Sequence, residues 1–206
     1  MKPSRRPLPP VGLVACLAAL ASFGACLQRT IIAVDLAPIT FESEAIEIDG
    51  EVDLCISRAL RQRQWNVERH PYRVALGARA STNLESLARS AFRVVHTRFD
   101  GACGEKGELP WMTAEIRSAN RDWDGIVGIV NPEPVDTGIT LRVALYATGG
   151  EEIWATSVQA TTRSPGPVLR PRRYSGARDF GVVLQDALRE VYASLMTSPE
   201  VRAAFP

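Results

Sequence analysis

The sequence has little of the chemistry on which most enzymes depend. Its 206 residues include two histidines, His70 and His96, so few side chains can serve as a general base or a metal ligand near neutral pH. It has no Gly-x-Ser-x-Gly nucleophile motif, and the glycine-rich stretch 101–107 lacks the Gly-Lys-Ser/Thr of a phosphate-binding loop. These absences favour a protein that is not an enzyme and that carries no cofactor.

The remaining candidates for a chemical site are weak. Cys55, Cys103, His70 and His96 would suffice by number for zinc, but no two of them have the close spacing of typical zinc ligands, so we expect no metal. Carboxylates also surround a predicted strand at 125–130. They are Asp122, Asp124, Glu133 and Asp136. Such residues can act as acid and base or bind calcium, but we interpret them as polar strand ends.

The chain also lacks an apolar run that would make a good membrane-spanning helix. Val11–Phe23 is shorter than the about 20 apolar residues that a span needs. Lys2, Arg5 and Arg6 precede it, and the small residues Gly24-Ala25 follow it. A basic start, a short apolar core and small residues before a cleavage site are typical of a secretory signal peptide. We therefore predict a signal at 1–25 and a single α/β domain at 26–206.

The end of this signal resembles that of bacterial lipoproteins, in which a cysteine after two small residues is acylated. Gly24-Ala25-Cys26 matches their pattern, whereas Phe23 is larger than the usual aliphatic residue. The resemblance implies that Cys26 becomes the lipidated N-terminus. By the sorting rule of these proteins, Leu27 implies the outer membrane, with the domain facing the periplasm. The alternative is an ordinary signal cut near Ala25, which leaves Cys26 as a thiol.

Export leaves two further cysteines, because Cys16 departs with the signal. In an oxidising compartment Cys55 and Cys103 most simply form one disulfide. They are 48 positions apart, and closing a loop of this length is worth about 4 kcal/mol in the chain-entropy treatment. The alternative is two unrelated buried thiols.

Charge and one arginine-rich stretch bear on the partners. Removal of the signal takes away three of the 24 basic residues and none of the 23 acidic ones, so the net charge is about −2 and nucleic acid is not expected. We predict a loop from Ser164 to Arg178, and Arg170, Arg172 and Arg173 are its candidates for contact with phosphate or an acidic partner. The alternative is a solvated connector.

The hydrophobic pattern predicts a two-layer α/β sandwich in which helices pack mainly on one face of a mixed sheet. The first half is expected to contain a strand Thr30–Leu36, a helix Gly50–Gln64 with Asp49 as N-cap, an extended stretch Asn66–Leu76, and a helix that begins with a capping box of Thr82 and Glu85 and ends near His96. A loop follows at Phe99–Leu109, and the next stretch is either a short helix from Pro110 to near Asn120 or a strand Trp111–Ile116.

The second half has the clearer pattern. It is expected to contain a strand Gly125–Val130, a hairpin of Ile139–Thr148 and Glu152–Thr162 that turns at Gly149-Gly150, a helix Asp179–Met196, and a short helix after Ser198-Pro199.

Cys26, the alternating hairpin strands Leu141–Tyr146 and Glu152–Trp154, and the last helix together resemble small envelope lipoproteins. These are the lipopolysaccharide-assembly lipoprotein and the lipoprotein auxiliaries of ABC-type lipid transporters. The resemblance implies a non-enzymatic, membrane-anchored adaptor with an envelope protein as its partner. The alternatives are a periplasmic domain that binds a small ligand or lipid, and a cell-wall hydrolase that uses carboxylates near Asp124 and Asp136. Trp111 and Trp123 are either core residues or platforms for a sugar.

Overall fold

The structure is a computed structural model, and it describes residues 30–34, 39, 41, 48–66, 72–100, 108–122, 135–164 and 172–205. Its strands are β1 Thr30–Ala33, β2 Ile48–Ile56, β3 Trp65–Asn66, β4 Tyr72–Ala75, β5 Phe92–Phe99, β6 Trp111–Asp122, β7 Val135–Tyr146 and β8 Glu152–Ser164. Its helices are α1 Arg58–Arg61, α2 Leu76–Ala91, α3 Arg172–Thr197 and α4 Pro199–Ala204.

The strands form a larger and a smaller sheet in the described part of the chain. The larger has the order β5-β2-β6-β7-β8, and the smaller has the order β1-β4-β3. In the larger sheet β2 pairs parallel with β5 and with β6. Strand β7 pairs antiparallel with β6 and with β8. The mixed two-layer α/β fold predicted from the sequence is confirmed.

Alternation along the hairpin strands builds the core. Ile139, Leu141, Val143 and Leu145 are all at most 2% exposed and lie beside Trp154, Val158 and Ala160 of β8. Helix α3 packs against β7 and β8, and its predicted apolar stripe is buried. This stripe consists of Phe180, Leu184, Leu188, Val191 and Leu195. Because side chains of a strand alternate between faces, this packing leaves the intervening side chains on the other face of the sheet.

The hairpin turn is also as predicted. Gly150 has a φ of 84°, which L-residues with a side chain rarely adopt. Its N–H donates to the carbonyl of Ala147, and the N–H of Ala147 donates to that of Glu151. Ser198 caps α4 by accepting a hydrogen bond from the N–H of Val201, as Ser198-Pro199 led us to expect.

The predicted helix Gly50–Gln64 is wrong. Residues 50–56 belong to β2, and the helix within the predicted span is limited to α1, Arg58–Arg61, which follows Ser57. Every residue from Val52 to Ile56 is buried, since β2 is a central strand with neighbours on both sides. Such a strand is apolar on both faces, so its residues also satisfy a helical spacing by chance.

The predicted start of the next helix is wrong as well. Helix α2 begins at Leu76, and Thr82 donates its hydroxyl to the carbonyl of Ala78 instead of capping. The capping box is therefore absent. Leu84, Leu87, Ala88 and Ala91 are buried as expected, but Val95 and His96 belong to β5 and not to the helix.

Several other boundaries change. The short-helix alternative at 110–120 is wrong, because β6 occupies Trp111–Asp122. The predicted loop Ser164–Arg178 is shorter than expected, since α3 begins at Arg172. The first strand ends at Ala33 and not at Leu36. The predicted strand 125–130 lies outside the described residues.

A buried ion pair joins the start of α3 to the sheet. A guanidinium N–H of Arg121 on β6 donates to Asp179 Oδ2 over 2.9 Å, and both side chains are at most 10% exposed. The hydroxyl of Ser164 donates to the same carboxylate oxygen. Gly176 gives the guanidinium room, because a Cβ at this position would collide with Arg121 Nη1.

We therefore expect Asp179→Ala to lower the free energy of unfolding by about 3–5 kcal/mol, the usual loss when one partner of a buried pair is removed. The double variant Arg121→Met/Asp179→Leu should lower the free energy of unfolding by less than Asp179→Ala does, because it removes both charges. Asp136→Asn is the matched control: its pair with Arg163 is 3.6 Å long and exposed, so the change should stay below about 1 kcal/mol. Urea denaturation measures all three. Equal losses for Asp179→Ala and the control would contradict this role.

Candidate functional site

Several residues singled out in the sequence lie outside the described part of the chain. They are Cys26, His70, Cys103, Trp123, Asp124, Glu133 and Arg170. Arg172 and Arg173 lie at the beginning of α3, and their side chains are likewise outside the description. The proposed roles of these residues stay predictions.

The described titratable residues do not converge on a reaction centre. His96 is half-exposed on β5, with its Nε2 3.6 Å from Glu51 Oε2. Asp136 lies opposite Asp122 in the register of β6 and β7, and it is paired with exposed Arg163. Among the residues that the structure describes, no group of three or more His, Cys, Asp or Glu side chains is arranged to hold a metal ion.

An aromatic and charged cluster lies on the face of the sheet opposite the core. Trp111 and Tyr146 are register partners, and their rings stack with centroids 4.1 Å apart and planes 15° apart. Arg142 donates to the hydroxyl of Tyr146 over 3.5 Å and to Glu152 Oε2 over 2.5 Å. The hydrogen bond to Tyr146, followed by that to Glu152, raises the pKa of Arg142, so the guanidinium stays charged.

We call this surface the open sheet face and define it by Trp111, Glu115, Arg142, Tyr146 and Ser157. Glu115 and Ser157 are exposed, and Arg142 is 25% exposed. Tryptophan, tyrosine and arginine are the residues most enriched where proteins bind other proteins. The open sheet face therefore has the composition of a docking surface.

The same face contains a buried carboxylate that sequence reasoning missed. Asp53 on β2 is 3% exposed, lies beside His96 and Trp111 in the register, and forms an ion pair in which its Oδ2 is 2.8 Å from Arg98 Nε. A single acidic residue within an apolar run gives no indication of its partner. Arg98 can be identified as the partner of Asp53 only once β2 and β5 are known to be parallel neighbours.

A small cavity lies near the carboxyl ends of β2 and β5, on the core side of the sheet. Its volume is about 280 Å³, and it is lined by Ile56, Arg61, Ala78, Ser81, Thr82, Glu85 and Phe99. The guanidinium of Arg61 lies 5.1 Å from the Phe99 ring and forms an ion pair with Asp100. A hydrogen bond from Arg89, assisted by Thr97, lowers the pKa of Glu85, which is therefore ionised at neutral pH.

No protein-family model matches the chain, and no curated protein matches its sequence. Among solved structures, a DUF330-family protein from Xanthomonas campestris has a TM-score of 0.53 at 14% identity, over 81% of this chain and 95% of that one. A minor lipoprotein from Acinetobacter baumannii has a TM-score of 0.42 at 8% identity, over 73% and 93% of the two chains. Lipoprotein B from Nitrosomonas europaea has a TM-score of 0.40 at 8% identity, over 82% of this chain and 91% of that one.

The Xanthomonas protein is similar over nearly its whole length, and at this identity the likeness shows a shared fold. None of the helices in the described ranges is long and apolar enough to cross a bilayer.

The position of Cys55 favours the predicted disulfide. Cys55 is 5% exposed on β2, with Arg98 of β5 beside it on one side and Thr113 of β6 on the other. The described chain leaves β5 at Asp100 and resumes at Glu108, just before β6. The connection that contains Cys103 thus joins the two strands that flank β2.

We expect non-reducing peptide mapping of native protein to recover Cys55 and Cys103 in one linked peptide. Because the bond closes a loop of 48 positions, the double variant Cys55→Ala/Cys103→Ala should have a free energy of unfolding about 2–4 kcal/mol lower than wild type and should melt at a lower temperature. Cys16→Ala is the control, since this residue leaves with the predicted signal. Free alkylation of both thiols in the oxidised, folded protein would contradict the bond.

Proposed function

We propose that this chain is a bacterial envelope lipoprotein, anchored by a lipid on Cys26, whose domain docks a partner protein and does not catalyse a reaction. The spacing between the anchor and the fold supports the proposal. Strand β1 begins at Thr30, four residues after Cys26, and four residues span at most about 14 Å. An anchored domain would therefore be held directly at the membrane surface.

The open sheet face is the observation that favours docking over the alternatives. It contains the stacked Trp111 and Tyr146, both partly exposed, beside a charged arginine on the three-stranded antiparallel part of the sheet. A hydrolase would need titratable groups that converge in a cleft, whereas Asp136 is exposed and paired with Arg163. The cavity beside Glu85 is smaller than the usual 300–1,000 Å³ of ligand pockets, so a small-ligand role is the second candidate.

The arginine-rich stretch belongs to the same proposal. Arg170, Arg172 and Arg173 would meet anionic headgroups or an acidic partner, because a guanidinium binds phosphate and carboxylate in a bidentate manner. Leu27 supports placement in the outer membrane, with the domain facing the periplasm.

Lipidation is tested by Cys26→Ala, which should yield an uncleaved and unlipidated precursor because the acylated thiol is missing. Cys16→Ala is the matched control, since it changes a cysteine within the same apolar run and should be processed like wild type. Intact-mass spectrometry of the envelope fraction measures both. A mature wild-type chain that begins at an unmodified Cys26 would contradict the anchor.

Docking is tested by a photo-crosslinking residue placed at Glu115 of the anchored protein in cells. We expect a discrete adduct with another protein, because this side chain lies on the open sheet face. The control position is Arg189, which is also exposed but lies on α3. Adding Arg142→Ala should reduce the adduct at position 115 by about fivefold or more, the effect of losing an interface side chain worth more than 1 kcal/mol.

Equal adducts at positions 115 and 189 would contradict docking at this face. Loss of the adduct together with a lower melting temperature would indicate unfolding, so the thermal midpoint of each variant is measured alongside. Arg142 is only partly buried, and its removal should leave the fold intact.

A further inference from the structure

The two edges of the larger sheet differ in how they are protected. Natural edge strands avoid pairing with other chains through short length, charged side chains, prolines or bulges. The eight residues of β5 include Arg93, His96 and Arg98, all exposed. The thirteen residues of β8 contain neither a proline nor a charge between Glu152 and Arg163.

Among the residues that the structure describes, β8 thus forms a long edge without these protective features. In the described part of the chain it pairs with β7 along its whole length and with no other strand. Its side chains alternate regularly, with Trp154, Val158 and Ala160 buried on the core side and Ser157 and Gln159 exposed on the other. An edge of this kind is a template for another strand of similar pattern.

We propose that β8 pairs antiparallel with β8 of a second copy of this chain, so that the two larger sheets become continuous. A two-fold axis perpendicular to the sheet relates the strands, so each residue must face a partner on the same side of the sheet. Symmetry therefore permits only registers that place one residue opposite its own copy.

Charge selects among these registers. The pairing of β7 and β8 skips Ile153, because Leu145 faces Trp154 and Tyr146 faces Glu152. Because of this irregularity, Glu152 occupies the pairing position that Ile153 would have in a regular strand. With Val158 on the two-fold axis, Glu152 of each copy then lies opposite Arg163 of the other, on the open side of the sheet. Neither adjacent register places Glu152 and Arg163 opposite each other.

The same register keeps the core pattern intact. Thr156 faces Ala160 and Trp154 faces Thr162 on the helix side, while Ser157 faces Gln159 on the open side. Arg163 is 70% exposed and Glu152 is 43% exposed, and their present partners, Asp136 and Arg142, belong to the same chain. Each side chain would therefore gain a second partner of opposite charge across the interface. Opposite charges on directly opposed strand residues stabilise the pair.

The arrangement is also compatible with anchoring of both copies to one membrane. Strand β1, which follows Cys26, contacts α3 on the helix side of the sheet. With the two-fold axis along the membrane normal, the β1 strands of both copies lie on one side of the joined sheet, and both open sheet faces lie on the other side.

Oxidative cross-linking of the full-length protein in membranes tests the register. Ser157→Cys/Gln159→Cys places thiols opposite each other across the two-fold axis and should give at least tenfold more covalent dimer than either single variant. If the register were shifted by one pairing step, Ser157 or Gln159 would lie opposite its own copy. The single variant Ser157→Cys or Gln159→Cys would then form the covalent dimer by itself. Wild type, with its native cysteines, is the background. Cross-linking of a single variant to the level of the double variant would overturn the proposal.

Self-association is measured separately by sedimentation of the detergent-solubilised protein. Ser157→Lys/Gln159→Lys opposes like charges across the edge and should convert the dimer to a monomer, whereas Glu190→Lys/Ala193→Lys, on the exposed side of α3, should leave a dimer. A wild-type monomer that captures a strand of a different protein would overturn the proposal. Ser157 also lies on the open sheet face, but sedimentation uses the purified protein without a docking partner, so a wild-type monomer there would overturn the pairing and leave the docking role standing.

Discussion

The rest of the structure depends on the packing of α3 against β7 and β8. Strand side chains alternate, so burial of Leu141, Val143 and Leu145 beneath this helix fixes the direction of every side chain between them. A slip of one residue would expose the core and bury Arg142. The buried pair of Arg121 and Asp179 fastens the same helix to β6. Helix and hairpin thereby determine which face of the sheet is covered and which is open.

The chemistry of the molecule follows from this asymmetry. The covered face contains the apolar core, and the open sheet face contains a stacked aromatic pair with a charged arginine held by Tyr146 and Glu152. The proposed lipid anchor and the proposed pairing of β8 both depend on this arrangement of the sheet. A lipid on Cys26 would hold β1 close to the bilayer, and pairing of β8 would leave the open sheet face available to a partner.

The parts of the fold that could be predicted from the sequence are those whose pattern is local. The alternating β7 and β8 strands, the turn at Gly150 and the apolar stripe of α3 each lie within one contiguous stretch. The pattern of β2 predicts a helix because burial on both faces removes the alternation of a strand. The predicted start of α2 is too late because Ala75, which precedes the helix, makes no side-chain cap, and the Thr-Glu pair of a later turn imitates one.

The candidate site was beyond sequence reasoning for a different reason. Trp111 and Tyr146 are brought together by the register of β6 and β7, which contains a shift between Ile116 and Ser118. Asp53 and Arg98 likewise meet across parallel strands that a long crossover separates in sequence. Neither register is encoded in a local pattern, so the stacked pair, the buried carboxylate and the cavity beside Phe99 appear only in three dimensions.

The most direct test of a covered face and a docking face is oxidative footprinting of the anchored protein in intact envelopes, compared with the purified protein. We expect oxidation of Trp111 and Tyr146 to fall severalfold in the envelope, because a partner covers the open sheet face. Tyr192 on α3, which packs against Phe41, should react equally in both samples. Equal oxidation of Trp111 and Tyr146 in the two samples would contradict the proposed docking role.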